Sequence, residues 1–365
     1  MVPFALLLLL PLGGGGSVVV RTTDGSVLRG TVETVEGGIK IRTGETERFV
    51  PEADILWTAD GTELLRQARE MVEGAGTGRP GATRHAQAAL WCAEMGLDDE
   101  ADRLLDRAVA LDAGAPAVTR AIHQFASTLA GEAERTARPT EWLLRDVPST
   151  GARRLVAEEA LGHFAKEEAV PALVRALASP RTPTRRVASS VLGERFPGEG
   201  TQRLAAVAIA DTDEGVRENA VVALRGAGGE KAARALAPHL FSGPTSVHRK
   251  RATTALERLG SPAAVPPLAE ALRRLQVQAA GGPRGYVFFG NQVTYVRDFD
   301  VEVAQNAAIG DPQIGVITDG AVLDARVLST RTERIAIVQA LTSIVGSNLG
   351  EDPAAWDSWY RAQKR

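Results

Sequence analysis

The chain is expected to fold as a mainly α-helical stack of repeats, flanked by a small N-terminal β unit and a C-terminal segment containing a β-hairpin. Three observations lead there. An Ala and a Leu four residues apart return at fixed steps between residues 150 and 275. Aromatic residues make up only 5% of the 365 residues, while Ala, Leu and Arg, which lose little rotamer freedom in a helix, are abundant. Glycine-turn dipeptides between β-branched runs are confined to 18–59 and to the region after 281.

The repeat comes first because it organises the rest. Its first helices carry Ala157/Leu161, Ala188/Leu192, Ala220/Leu224 and Ala252/Leu256. Its second helices carry Leu173, Leu204, Leu236 and Leu268, each followed four residues later by Leu177, Ala208, Leu240 and Leu272. Residues four apart share a helix face, so every unit presents an apolar stripe that only a neighbouring unit can cover. Three residues before each first-helix Ala stands an Arg: Arg154, Arg185, Arg217 and Arg249.

The third unit runs from Asp211-Thr212-Asp213 through Val216-Arg217 to Ala220 and Leu224. It resembles HEAT repeats, whose first helix carries a Val-Arg pair after an Asp-rich turn. The resemblance covers 150–275 within a repeat region at 138–275. It implies a HEAT-type α-solenoid with its second helices on the concave side and a protein or peptide as partner. It also implies a structural ladder of Arg154, Arg185, Arg217 and Arg249, each bonding a turn carboxylate or carbonyl of the adjacent unit. The units are short, as in the HEAT-like repeats of bilin lyases.

Ahead of the repeats, Phe4 to Leu12 form an apolar run followed by four glycines and Ser17, the layout of a signal peptide over 1–17. The run is too short to span a bilayer. The expectation is export to the periplasm or beyond, with membrane contact only during export. Residues 18–59 read as five short strands of a small SH3-like barrel, turned at Asp24-Gly25 and Gly37-Gly38. A helical region follows at 62–137. A Gly/Pro linker is expected over 74–83, then helices at 84–96, 98–111 and 116–136. The stretch from Ala89 to Gly96, with Ala101 and Ala108, resembles a tetratricopeptide hairpin.

Beyond Gly281-Gly282-Pro283 the pattern turns to β over 284–328, with a hairpin turn expected at Gly290-Asn291. Helices follow over 329–365, where Trp356, Trp359 and Tyr360 fall on one face. The whole layout is similar to exported bacterial HEAT-repeat domain-containing proteins. In it, the hairpin and the tail aromatics would cap the open end of the array.

A net charge of −3 and a pI near 6.1 argue against a general nucleic-acid binder. Cys92 is the single cysteine, so no intramolecular disulfide forms and a Cys-based zinc site is not expected. Gly76, Gly78 and Gly81 match a dinucleotide-binding glycine pattern, but a helix rather than a strand precedes them and Pro80 interrupts them, so they read as a linker. Asp298, Asp300 and Glu302 alternate without a glycine-turned loop and read as a solvated strand edge. The five histidines lack the paired spacing of a zinc protease, and no nucleophile elbow is present. No metal, cofactor or catalytic residue is therefore expected. The cluster Arg249-Lys250-Arg251 is the candidate contact for an acidic partner. These residues point to a non-enzymatic interaction scaffold. The alternative is a HEAT-like lyase-type enzyme with a pocket between the solenoid and the C-terminal β segment.

Overall fold

The computed structural model describes residues 17–148, 150–279, 286–304 and 307–363, with side chains over 17–148, 150–277 and 331–363. It comprises two compact units that meet in sequence between Val191 and Leu192.

The first unit opens with five antiparallel strands, β1 (Val18–Thr22), β2 (Val27–Val35), β3 (Gly38–Thr43), β4 (Thr46–Pro51) and β5 (Ile55–Asp60). Their order is β4-β3-β2-β1-β5. Strand β2 serves two half-sheets: Val27 to Gly30 pair with β1, and Thr31 to Val35 pair with β3. Gly30 stands at that change of partner, where a Cβ would sit 2.2 Å from the Arg42 carbonyl oxygen. Only glycine lets the backbones pass so closely. Val20, Ile39, Ile41 and Val50 form the core of the unit, with Leu28, Val32 and Ile55 packed on it.

Helix α1 (Gly61–Val72) follows at once, capped by Asp60, whose carboxylate accepts from the Thr62 and Glu63 N–H groups. Next come α2 (Gly78–Glu94), α3 (Asp98–Asp112), α4 (Pro116–Glu134), α5 (Pro139–Arg145), α6 (Ala152–Leu161) and α7 (Lys166–Ala176). Helix α2 begins six residues before the expected 84, absorbing most of the linker. Pro80 is tolerated there because first-turn N–H groups have no intrahelical acceptor to lose. Gly96, at φ +69°, ends the α2 region, and a Cβ on it would meet the Val27 side chain at 2.2 Å. This glycine seats the β unit against the helical hairpin α2–α3. Helix α5 was not expected. It is too short to show a period, but it buries Leu143 and Leu144 and packs on α6 and α7.

Helix α8 (Thr182–Arg195) carries the chain across the division. The second unit continues with α9 (Thr201–Ala210), α10 (Glu214–Gly226), α11 (Gly229–Leu236), α12 (Pro238–Ser242), α13 (Ser246–Leu259) and α14 (Val265–Ala279). Then come β6 (Tyr286–Ala304), β7 (Ala307–Asp324), α15 (Ala325–Val345) and α16 (Pro353–Gln363). The repeat pairs are α6/α7, α8/α9, α10/α11 and α13/α14. All eight first-helix positions, from Ala157/Leu161 to Ala252/Leu256, are buried, as are all eight second-helix positions from Leu173 to Leu272. The mainly helical repeat fold with its N-terminal five-stranded β unit agrees with the expectation.

The hairpin turn expected at Gly290-Asn291 is not formed. Strand β6 runs straight through it, with Gly290 opposite Gly320 and Asn291 opposite Asp319. A Gly-Asn pair permits a turn but does not enforce one, and the long antiparallel register with β7 satisfies those backbone groups instead. Residues 305–306, between the two strands, lie outside the described residues.

The C-terminal helices form a further helix pair. Helix α15 packs on α13 and α14, and α16 packs on α14. Arg334, Ile337 and Leu341 repeat the Arg, Ala and Leu spacing of the earlier first helices, and both Ile337 and Leu341 are buried. Trp356 of α16 is fully buried and donates its indole N–H to the Gly350 carbonyl, 3.0 Å away. The β6–β7 hairpin is therefore an insertion between two helix pairs, and the closing surface comes from α15 and α16.

Candidate functional site

The four column arginines do not present a free basic strip. Arg185 donates to the Ser179 and Pro180 carbonyls at 2.9 and 3.2 Å, and Arg217 to the Asp211 and Thr212 carbonyls at 3.0 Å each. Arg249 donates to the Gly243 carbonyl at 3.2 Å. Each thus reaches back five or six residues to the turn before its own helix, where carbonyls at a helix end lack partners. Arg154 instead pairs with Glu158 on its own helix at 2.6 Å.

The cluster expected to meet a partner is largely committed inside the fold. Arg249 holds the Glu333 carboxylate with two bonds of 2.9 and 2.8 Å, which tie α13 to α15. Glu333 is only 5% exposed, so the fork satisfies a carboxylate that water hardly reaches. Arg251 donates to the Ile209 carbonyl at 3.0 Å. Lys250 is half-buried, and neither it nor Arg251 forms an ion pair among the described residues. Besides the Arg249–Glu333 fork, bonds that cross between repeat units come from positions outside the Arg column. Lys231 reaches the Gly198 carbonyl at 2.7 Å, Arg225 the Arg258 carbonyl, and Arg258 the Glu218 carboxylate at 3.0 Å.

The second helices of the C-terminal unit leave a different set of charges in solvent. Arg203 on α9, Lys231 and Arg234 on α11, and Arg273 and Arg274 on α14 are exposed. Glu230 pairs with Arg234, and Glu270 with Arg273 and Arg274. Arg273 also pairs with Asp357 of α16 at 2.8 Å, and five basic groups against three carboxylates leave this face basic.

The N-terminal unit holds a cleft of about 640 Å³ where the β unit, α2, α4, α5 and α6 converge. Phe125, Leu129 and Trp142 supply apolar surface, and Glu94, Asp98 and Glu132 supply carboxylates. The Arg21 guanidinium spans part of it, donating to the Glu94 carbonyl at 2.9 Å. Arg153 pairs with Asp102 at its edge.

Residues 201–279 match the family model for HEAT repeats. No curated protein matches the chain. The HEAT match begins at α9 and ends at α14, so it covers the part of the array with the Asp-turned unit and the exposed second-helix residues Arg203, Arg234, Arg273 and Arg274. HEAT repeats generally mediate protein interactions.

Outside the HEAT segment, α4 and α6 bring together side chains that sequence spacing kept apart. His123, Glu159 and His163 place their donor atoms within 4.8 Å of one another. His123 and His163 are 40 positions apart in sequence, so no motif announces them. Glu159 and His163, four apart, were the available hint. Cys92 is fully buried on α2, and burial, with the nearby Glu100 charge adding to it, pushes its thiol up to about 12. Gly76 and Gly78 precede or open α2 after helix α1, the helical context expected for a connection. The side chains of Asp298, Asp300 and Glu302 lie outside the described residues, as do those that would line a pocket against the β segment. Among the described residues no helix is long and apolar enough to cross a membrane.

Proposed function

We propose that the chain is a non-enzymatic interaction scaffold, exported from the cell, which holds a protein or peptide along the second helices of its HEAT repeats. The observation that carries this reading is the repeat array itself. Its apolar stripes are consumed by packing between units, which leaves a periodic polar face for recognition. On that face Arg203, Arg234 and Arg273 favour an acidic partner by charge complementarity. Export rests on the apolar run Phe4 to Leu12 and its glycine tail.

The test is affinity capture from an envelope extract with the wild-type chain and with the Arg203→Glu/Arg234→Glu variant. A protein retained by the first and lost by the second, at unchanged helical content, supports the scaffold. Equal recovery by both moves recognition off the second helices. Turnover of a small molecule by the purified chain would favour the lyase-type alternative instead.

A further inference from the structure

We propose that His123, Glu159 and His163 form a binding site for a late first-row divalent metal ion, of which Zn²⁺ is the natural representative. Helix α4 supplies His123, α6 supplies Glu159, and His163 follows in the turn that begins at Gly162. Helices α4 and α6 pack directly, so two of the three positions are fixed by rigid elements.

The geometry fits a four-coordinate ion. Metal–ligand distances of about 2.0–2.2 Å in a tetrahedron place neighbouring donors roughly 3.3 Å apart. The His123 Nδ1 and Glu159 Oε1 atoms already stand 3.2 Å apart. The two imidazole rings have centroids 5.4 Å apart and planes inclined by 33°. All three donor atoms fall within 4.8 Å of one another, so closing the site takes about 1–1.5 Å of side-chain rotation. His123 and His163 are both exposed, and rotation meets little obstruction.

Two imidazoles and one carboxylate select among metals by chemistry. Ca²⁺ and Mg²⁺ want six or more oxygen ligands, whereas imidazole suits zinc, nickel and copper. A fourth position would face solvent and take water or a side chain of a bound partner. An ion there would clamp α4, outside the Ala/Leu columns, to α6, the first helix carrying them. The site stands independently of the scaffold reading.

The full-length chain, stripped with chelator, should be titrated with Zn²⁺ by calorimetry at about pH 7.5, where imidazole is largely available as a ligand. One equivalent should bind with a dissociation constant in the micromolar range. Co²⁺ in place of Zn²⁺ should give visible absorption of four-coordinate intensity. At a Zn²⁺ concentration about a hundredfold above that constant, the melting temperature should rise by about 5 °C. His123→Ala, His163→Ala and Glu159→Gln should each weaken binding at least tenfold, while His248→Ala leaves it unchanged. The two histidines are exposed, so circular dichroism should show their variants folded. Failure of the wild-type chain to bind Zn²⁺, or equal affinity in the His123→Ala/His163→Ala variant, overturns the proposal. Loss of binding only with His248→Ala does so as well.

Discussion

Leu224 tests the packing of the array most directly. It is fully buried on α10, which packs against α9, α11 and α13. Leu224→Ala removes three carbons' worth of apolar contact, about 2.4 kcal/mol at roughly 0.8 kcal/mol per buried methylene. The cavity left behind adds to this, because close-packed helices relax only in part, giving a total of about 3–5 kcal/mol. The natural control lies two residues away on the same helix. Val222 is 60% exposed, so Val222→Ala should shift stability by no more than about 0.5 kcal/mol. Urea unfolding followed by circular dichroism measures both. A large drop in midpoint for Leu224→Ala with little change for Val222→Ala fits the register. Equal shifts would refute it, since they would mean that Leu224 does not face the neighbouring units.

The remaining expectations use the same logic at other positions. Arg249→Met removes both guanidinium bonds from the buried Glu333 carboxylate and should cost about 3–5 kcal/mol, whereas the Arg249→Met/Glu333→Leu double variant should recover most of it; a thermal-melt double-mutant cycle reads the difference. Gly30→Ala forces a Cβ to within 2.2 Å of the Arg42 carbonyl oxygen, so the β unit should lose stability by more than the same change at the helical Gly131, which faces open space. The Cys92 thiol keeps its proton in the folded chain up to about pH 12, above the unfolded value near 9. The folded state therefore binds more protons between these values. Its stability contribution is complete below about pH 9 and falls by up to about 1.4 kcal/mol per pH unit above it. A thiol reagent at about pH 8 should react with Cys92 only after unfolding, and rapid labelling of the folded chain would contradict the buried environment.

How much of this was legible depends on the range over which each signal acts. The repeat was readable because two helix faces impose the same spacing four times, and a buried Ala or Leu leaves its mark at each step. The Arg column was readable for the same reason, yet Arg217 bonds back five or six residues, Arg154 pairs on its own helix, and Arg249 reaches both back to Gly243 and across to α15. Local spacing cannot distinguish those routes, since all leave an Arg at the same position. Helix α5 escaped because seven residues hold too few turns to show a period. Strand β6 looks like two strands in sequence because Gly290-Asn291 is a local turn signal, whereas the pairing that overrides it lies about 30 residues away at Asp319 and Gly320. The His123, Glu159 and His163 grouping depends on how α4 meets α6, which no linear spacing encodes.

The end of the array shows how the ladder and the closing helices are joined. In the units carrying Arg185 and Arg217, the side chain is used on turn carbonyls beside its own helix. Arg249 keeps the equivalent bond to Gly243 through one nitrogen and turns two others to Glu333 on α15. A guanidinium can do both at once because its donors point in fixed, divergent directions, which an ammonium could not reproduce. Helix α15 carries Arg334, Ile337 and Leu341 at the spacing of the first helices and lies against α13 and α14. Trp356 then closes the apolar surface, since its ring is buried while its single donor finds the Gly350 carbonyl. The last repeat face is covered by a divergent copy of the unit itself. An insertion between α14 and α15 can then be as long as β6 and β7 without breaking the stack, because the helices on either side of it still meet.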